Sequence, residues 1–318
     1  MNHRLPIVNN IELERLALKT LHDLQQNIQI APLNKVTIIG VGLIGGSFAK
    51  GIKQLGLAKN LCGFGQSEAN LQKAVELQVV DNYTTDMATA MQDCDLVMLA
   101  VPLGAMQPVL ESIKPYLAQN TIITDAGSAK QSVIDAVEAV FGYLPENFVP
   151  GHPIAGKEQS GVTAADENLY IDHRVILTPT AQSAKAAVQT VKSLWVALGA
   201  QLEVMSPSFH DEVFAATSHL PHLLAFALVE MLHDHSELGN VFKYTAGGFR
   251  DFSRIASSDP TMWRDISVFN NQAIAKWLTE YRDYLNDMIP LIESKNSDAL
   301  FELFKTAKDA RDEHIVKR

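Results

Sequence analysis

The chain has 318 residues, 47% of them hydrophobic and 19% charged, the ordinary range for a globular protein with room for two domains and two cores. Its net charge is −10, from 26 basic and 36 acidic side chains. With no basic block this argues against a nucleic-acid partner, and any anionic substrate needs a local cluster of Arg, Lys or His.

Residues 1–34 read as an N-terminal helical extension. Leu13, Leu16, Ala17, Leu21, Leu24 and Ile28 recur at helical spacing, and Pro32 closes the helix. No apolar signal-peptide core precedes it. The longest apolar run, residues 223–232, is too short for a membrane span and carries Glu230. Cys62 and Cys94 lack metal-ligand spacing and read as reduced, buried thiols. The expectation is a cytoplasmic protein without a membrane partner.

Residues 35–206 alternate strand-like and helix-like segments. The β-branched run Val36, Thr37, Ile38, Ile39 leads into Gly40-x-Gly42-x-x-Gly45, with Leu43 and Ile44 inside the pattern, and then into an apolar helix at 47–55. Strand, glycine turn and helix in that order suit a dinucleotide pyrophosphate. The first glycine makes the turn, the second admits the phosphates and the third lets helix and strand pack closely. A tight turn with no ligand uses the same residues, but here both flanking elements are present. Strands follow at 61–64, 95–101, 121–124 and 148–149, with helices at 68–77 and 130–140 between them. Further strands at 174–178 and 201–204, around a helix at 183–198, are expected to complete one doubly wound parallel sheet.

Residues 207–318 read as all-helical, with helices at 209–233, 237–241, 265–286 and 298–307 and no convincing strand. Leu220, Leu223, Leu224, Ala227, Leu228 and Met231 make one helix apolar nearly all round. Such a helix is covered either by a partner subunit, giving a homodimer, or by its own bundle. The homodimer is favoured.

In an open parallel sheet, ligands bind beyond the strand carboxyl ends. Val101 and Pro102 fall there and would border the cofactor. Ser128 falls there in Asp125-Ala-Gly-Ser-Ala-Lys130, and His152 in Gly151-His-Pro-Ile-Ala-Gly156. A loop histidine at a strand end can act as a general base, or it can be a surface residue. His219 and His222, three apart, could suggest a metal site, but no third ligand stands at convincing spacing and none is expected. Arg250 and Arg254 could cradle an anionic substrate, since Arg binds carboxylates bidentately. Alternatively they form a helix-surface ion pair with Asp251.

The segments GVGLIGGSFA, DAGSAK, GHPIAG, SHLPH and GGFRDFSRIA…DPTMW, in this order, resemble the prephenate and arogenate dehydrogenases of tyrosine biosynthesis, from about residue 35 to the C-terminal helices. The resemblance implies a Rossmann domain, an all-helical dimerisation domain and an active site in the cleft between them. It also implies NAD or NADP as cofactor, with prephenate or arogenate oxidatively decarboxylated. His152 then corresponds to the histidine that accepts a hydrogen bond from the ring C4 hydroxyl, and Ser128 to the serine that orients it. Arg254 corresponds to the arginine on a substrate carboxylate. Ser218 and His222 supply secondary substrate contacts, and Arg250 stands where some relatives carry Lys. One departure is clear. Many NAD-preferring relatives carry Asp at the end of the second strand, about twenty residues past the third glycine, where this chain has Gly65, followed by Gln66 and Ser67.

Two other readings compete. A non-catalytic NAD(H)-sensing protein would not need this His, Ser and Arg set. Hydroxy-acid or imine dehydrogenases of similar build rely on a helical-domain Lys or no obvious base.

Overall fold

The structure is a computed structural model that describes residues 31–157, 159–235, 237 and 239–315. The expected N-terminal helix, with its apolar positions from Leu13 to Ile28, lies outside these. The chain divides into two compact units, one of Met1–Asp211 with Ser258–Phe269 and the other of Glu212–Ser257 with Asn270–Arg318. The first unit thus takes in the start of the helical region, up to Asp211, together with Ser258–Phe269.

In the first unit, β1 (Val36–Ile39) is buried along its whole length. It pairs in parallel with β2 (Leu61–Phe64) on one side and β4 (Leu96–Leu99) on the other. A strand covered on both faces reads as a continuous apolar run, without alternation. With β3 (Asn82–Thr84), β5 (Ile122–Asp125) and β6 (Phe148–Val149), the parallel sheet has the order β3-β2-β1-β4-β5-β6. Order reverses between β1 and β4, the crevice where such sheets bind ligands. The helices are α1 (Leu43–Gln54), α2 (Glu68–Glu76), α3 (Met87–Met91), α4 (Leu103–Ile113) and α5 (Gln131–Phe141). Sequence reading missed β3, α3 and α4: the first two are short, and α4 has Pro108 inside it.

The segments at 174–178 and 201–204 do not complete this sheet, contrary to expectation. They form a second, three-stranded sheet in the order β7-β8-β9, from β7 (Gly151–Pro153), β8 (Arg174–Leu177) and β9 (Gln201–Val204). β7 runs antiparallel to β8, and β8 parallel to β9 across α6 (Lys185–Ala197). The physical reason is Pro150. It has no N–H for a ladder, so β6 stops after two residues and the chain is re-aimed. Both sheets share one core, in which Trp195 of α6 packs against Phe48 of α1 and against Tyr170, with ring centroids 4.9 Å apart in each pair.

α7 (Pro207–Phe214) and α8 (Leu220–Asp234) are joined by a π-helical turn, Ala215–His219. The expected helix at 209–233 therefore exists but is not uniform. Next come α9 (Gly247–Ser253), α10 (Pro260–Phe269), α11 (Asn271–Glu293) and α12 (Ser297–His314). The expected single helix at 265–286 is two, broken at Asn270 (φ −118, ψ 34), whose side chain meets His219 Nδ1 at 3.2 Å. α10 packs with α4 in the first unit, where Asp265 accepts the Gly104 N–H at 3.0 Å. The expected helix at 237–241 falls partly on residues outside the described set, and a 3-10 turn, Val241–Tyr244, follows.

α8 is apolar on most of its surface, yet only Leu220 and Ala225 of it are buried. Tyr284 and Ile292 of α11 and Phe301 and Phe304 of α12 are also largely exposed, between 56% and 73%. By length and composition Pro207–Asp234 could cross a bilayer, a test that core helices also pass. Its Asp211 sits in a buried polar network described below.

Candidate active site

The glycine turn has the geometry that a dinucleotide requires. Gly40 adopts φ +94, and a Cβ there would lie 2.3 Å from the Ala100 carbonyl oxygen. A Cβ on Gly45 would lie 2.3 Å from the Gly40 carbonyl oxygen, so α1 can approach β1 only with glycine at this point. Gly42, at the N-cap of α1, has nothing within 4 Å of its would-be Cβ. The first turn of α1, which contains Leu43 and Ile44, carries no acidic residue and no side-chain cap. Its N–H groups and positive dipole end are thus available to an anion. Val101 lies beside Gly40, and Pro102 is the N-cap of α4. The residues present fit a dinucleotide.

β2 ends at Phe64, and Gly65 follows with no carboxylate for a ribose hydroxyl. A Cβ at Gly65 would meet only Leu71, at 3.7 Å or more, so the position has room for a side chain. Ser67 caps α2, its Oγ accepting the Asn70 N–H at 3.3 Å. Gln66 is exposed.

His152, expected in a loop at a strand end, lies in the middle of β7, paired with Ile176 of β8. Its backbone neighbour Gly151 is clamped at both polar groups. Asp125, the last residue of β5, accepts the Gly151 N–H through Oδ1 at 3.1 Å and the Gly127 N–H through Oδ2 at 2.8 Å. Lys130 Nζ donates to the Gly151 carbonyl at 2.7 Å and forms an ion pair with Asp125 Oδ2. Both side chains of that pair are fully buried, where loss of one partner costs about 3–5 kcal/mol. Burial pulls the Lys130 ammonium below the usual lysine range, opposed by Asp125. Ser128, half-buried, lies in the turn between these two residues.

A second network reaches the His152 ring. His152 Nδ1 and His210 Nε2 are 2.8 Å apart, and His210 Nδ1 lies 2.8 Å from Asp211 Oδ1. Asp211 also accepts the backbone N–H groups of Lys130 and Gln131, at 2.7 and 2.9 Å, where α5 begins with no local side-chain cap. Burial pushes the Asp211 carboxyl up, but hydrogen bonds from His210, Lys130 and Gln131 outweigh it and hold the group below the usual range. Burial lowers His210, partly opposed by its bond to Asp211 and reinforced by the Lys130 charge.

The remaining expected residues belong to the second unit. Ser218 lies in the π turn, and its carbonyl accepts from His222 Nδ1 at 2.8 Å. Burial lowers the His222 pKa, the Ser218 carbonyl opposes this and the Arg254 charge adds to the lowering. Arg250 is in α9, and Arg254 opens the 3-10 turn Arg254–Ser257, which packs on α8. Ser218, His222 and Arg254 are therefore gathered, and both arginines are exposed. The ring of His219 turns to Asn270, so the two histidines do not address one common ligand. Sequence reading missed His210, Asp211 and the part played by Lys130. The only signal for the first two was a His-Asp dipeptide near the start of an otherwise apolar helix.

The chain matches two family models. One is described as prephenate dehydrogenase, nucleotide-binding domain, over residues 48–204; the other as prephenate dehydrogenase, dimerization domain, over residues 206–306. The cyclohexadienyl dehydrogenase of Zymomonas mobilis is 37% identical over 279 residues, 87% of this chain and 94% of that protein. The prephenate dehydrogenase of Bacillus subtilis is 37% identical over 281 residues, 87% of this chain and 75% of that one. Among solved structures, prephenate dehydrogenase from A. aeolicus in complex with hydroxyphenyl propionate and NAD+ is 39% identical with a TM-score of 0.84, covering 89% of this chain and 99% of its own. Synechocystis arogenate dehydrogenase is 29% identical with a TM-score of 0.75, covering 88% and 100%. By sequence, fold and the geometry of its glycine turn, the chain belongs to the prephenate and arogenate dehydrogenase family of NAD(P)-dependent oxidoreductases.

Proposed function

We propose that this chain catalyses oxidative decarboxylation of prephenate to 4-hydroxyphenylpyruvate, or of arogenate to tyrosine, in tyrosine biosynthesis. The observation that carries the reading is His152, held on β7 by the Asp125–Lys130 clamp in the same unit as the dinucleotide turn. Bound at that turn, NAD or NADP supplies a hydride acceptor. C4 of the substrate ring carries a hydrogen and a hydroxyl. As the hydrogen leaves with its electron pair, His152 accepts the hydroxyl proton; CO2 is then lost, the ring becomes aromatic, and the phenolate oxygen takes a proton back. Ser128 orients the hydroxyl. Arg254 grips a substrate carboxylate, Arg250 adds to the field, and Ser218 and His222 make further contacts. General-base help of this kind is worth roughly 10²–10⁴-fold.

The test follows the appearance of reduced cofactor with prephenate, arogenate and a hydroxy acid in parallel. Activity with either cyclohexadiene and none with the hydroxy acid is expected. His152→Asn should lower kcat roughly 10²-fold or more with little change in substrate KM, because the lost interaction belongs to the transition state. A variant with near-wild-type kcat would make His152 structural.

Arg254→Ala should raise substrate KM about 10–150-fold, the loss of a charge-assisted hydrogen bond, while cofactor Kd stays nearly constant. Parallel loss of cofactor binding would point instead to a folding defect.

Cofactor discrimination is expected to be weak. Gly65 offers neither an acceptor for the 2′-hydroxyl nor repulsion for a 2′-phosphate, so kcat/KM for NAD and NADP should lie within about two orders of magnitude, under ~3 kcal/mol. Gly65→Asp, for which the structure has room, should sharpen the preference for NAD. No measurable NADP activity in the wild type would place the discrimination elsewhere.

The second unit carries the dimer contact in this reading. Its support is the uncovered apolar surface of α8, α11 and α12 and the description of the matching family model. Light scattering should give a stable dimer that persists without residues 1–30; a monomer at micromolar concentration would refute it. Cys62 and Cys94 are buried free thiols, which suits a reducing compartment, and the protein is assigned to the cytoplasm.

A further inference from the structure

A neutral histidine has one nitrogen with a proton and one with a lone pair, and its hydrogen-bond partners decide which is which. His152, His210 and Asp211 form a chain of two contacts, each 2.8 Å long, that ends in a group able only to accept. Asp211 is pinned as a carboxylate by two backbone N–H groups at the start of α5, so the proton between it and His210 sits on His210 Nδ1. His210 has no exposed side-chain surface, and the buried Lys130 ammonium nearby disfavours a second positive charge. His210 is thus neutral, and its Nε2 is an acceptor. The proton between the two rings then sits on His152 Nδ1, which leaves the lone pair of His152 on Nε2.

We propose that His210 and Asp211 are positioning residues that fix His152 as the Nδ1–H tautomer, so that Nε2 is the nitrogen that takes the substrate hydroxyl proton. When that proton arrives, His152 becomes an imidazolium whose Nδ1–H still points at His210 Nε2, and the positive charge faces an acceptor chain that ends in Asp211. The charged groups that act on His210 are Asp211, Lys130 and Asp125. The proposal rests on His152 as the proton acceptor. Wild-type turnover in His152→Asn would remove that role, whereas the tautomer is measured without turnover.

The experiment is a long-range 1H–15N correlation spectrum of the 15N-labelled apoprotein above the histidine titration range. The His152 signals are assigned by their absence in His152→Asn. A protonated Nδ1 and a bare Nε2 are expected; a protonated Nε2 would overturn the proposal while leaving the base assignment standing. His210→Leu puts an apolar side chain of related size there, with no acceptor. In the folded variant, with cofactor Kd unchanged, the Nε2–H tautomer of His152 should appear. Its kcat should fall roughly 10–100-fold with substrate KM nearly constant. The acid limb of kcat/KM should move to lower pH, because protonated His152 loses its acceptor. His210→Gln, whose carbonyl oxygen can take the His152 proton bond, should recover much of the rate. A folded His210→Leu with wild-type kcat and an unmoved acid limb would refute the role. If that variant does not fold, the wild-type tautomer and the His210→Gln rate decide.

Discussion

The buried ion pair between Asp125 and Lys130 is the constraint on which the site depends. Two charges taken out of water are tolerated only when hydrogen bonds occupy their remaining lone pairs and protons. Here those bonds are made with backbone: the N–H groups of Gly127 and Gly151 reach Asp125, and the Gly151 carbonyl reaches the Lys130 ammonium. The pair therefore holds the end of β5, the turn carrying Ser128 and the start of β7 in one arrangement. The placement of His152 follows, because its preceding residue has no freedom left at either polar group.

Two helix starts at the same sheet show a division of labour. The N-terminus of α1 has no capping side chain and no acidic residue in its first turn, and beside it Gly42 faces open space. That terminus is open to an anion, which matters in a chain of net charge −10. The N-terminus of α5 also lacks a local cap, yet it is closed by the carboxylate of Asp211, some eighty residues away in sequence. The same dipole that would attract a ligand here steadies a carboxylate, and that carboxylate in turn fixes the orientation of His210.

In the second unit a different device gathers the polar groups. Pro221 has no N–H for the ordinary helical bond, and the preceding turn is widened into a π turn, a feature often found at functional sites. The Ser218 carbonyl is met by the His222 ring. Because a carbonyl only accepts, His222 carries its proton on Nδ1, and its lone pair lies on Nε2. The Arg254 turn packs on the same helix, so an irregularity in one helix brings Ser218, His222 and Arg254 into one neighbourhood.

How far the sequence could be read depended on whether the physics was local. The first strand, the glycine turn and α1 were legible because each glycine answers a steric demand within a few residues: Gly40 at positive φ, Gly45 against the Gly40 carbonyl. The helical character of the second half was equally visible in its apolar periodicity. The segments at 174–178 and 201–204 are legible as strands, but their sheet is not, since pairing partners are chosen by the path of the chain after Pro150 and not by strand composition. His152 stood out by motif, but its place on a strand came from pairing with Ile176. His210 and Asp211 carry no signal in the sequence beyond a His-Asp dipeptide near a helix start. Their meaning arises only when folding places them against His152 and the start of α5, because a hydrogen-bond chain is a property of positions in space and its members need share no spacing in sequence.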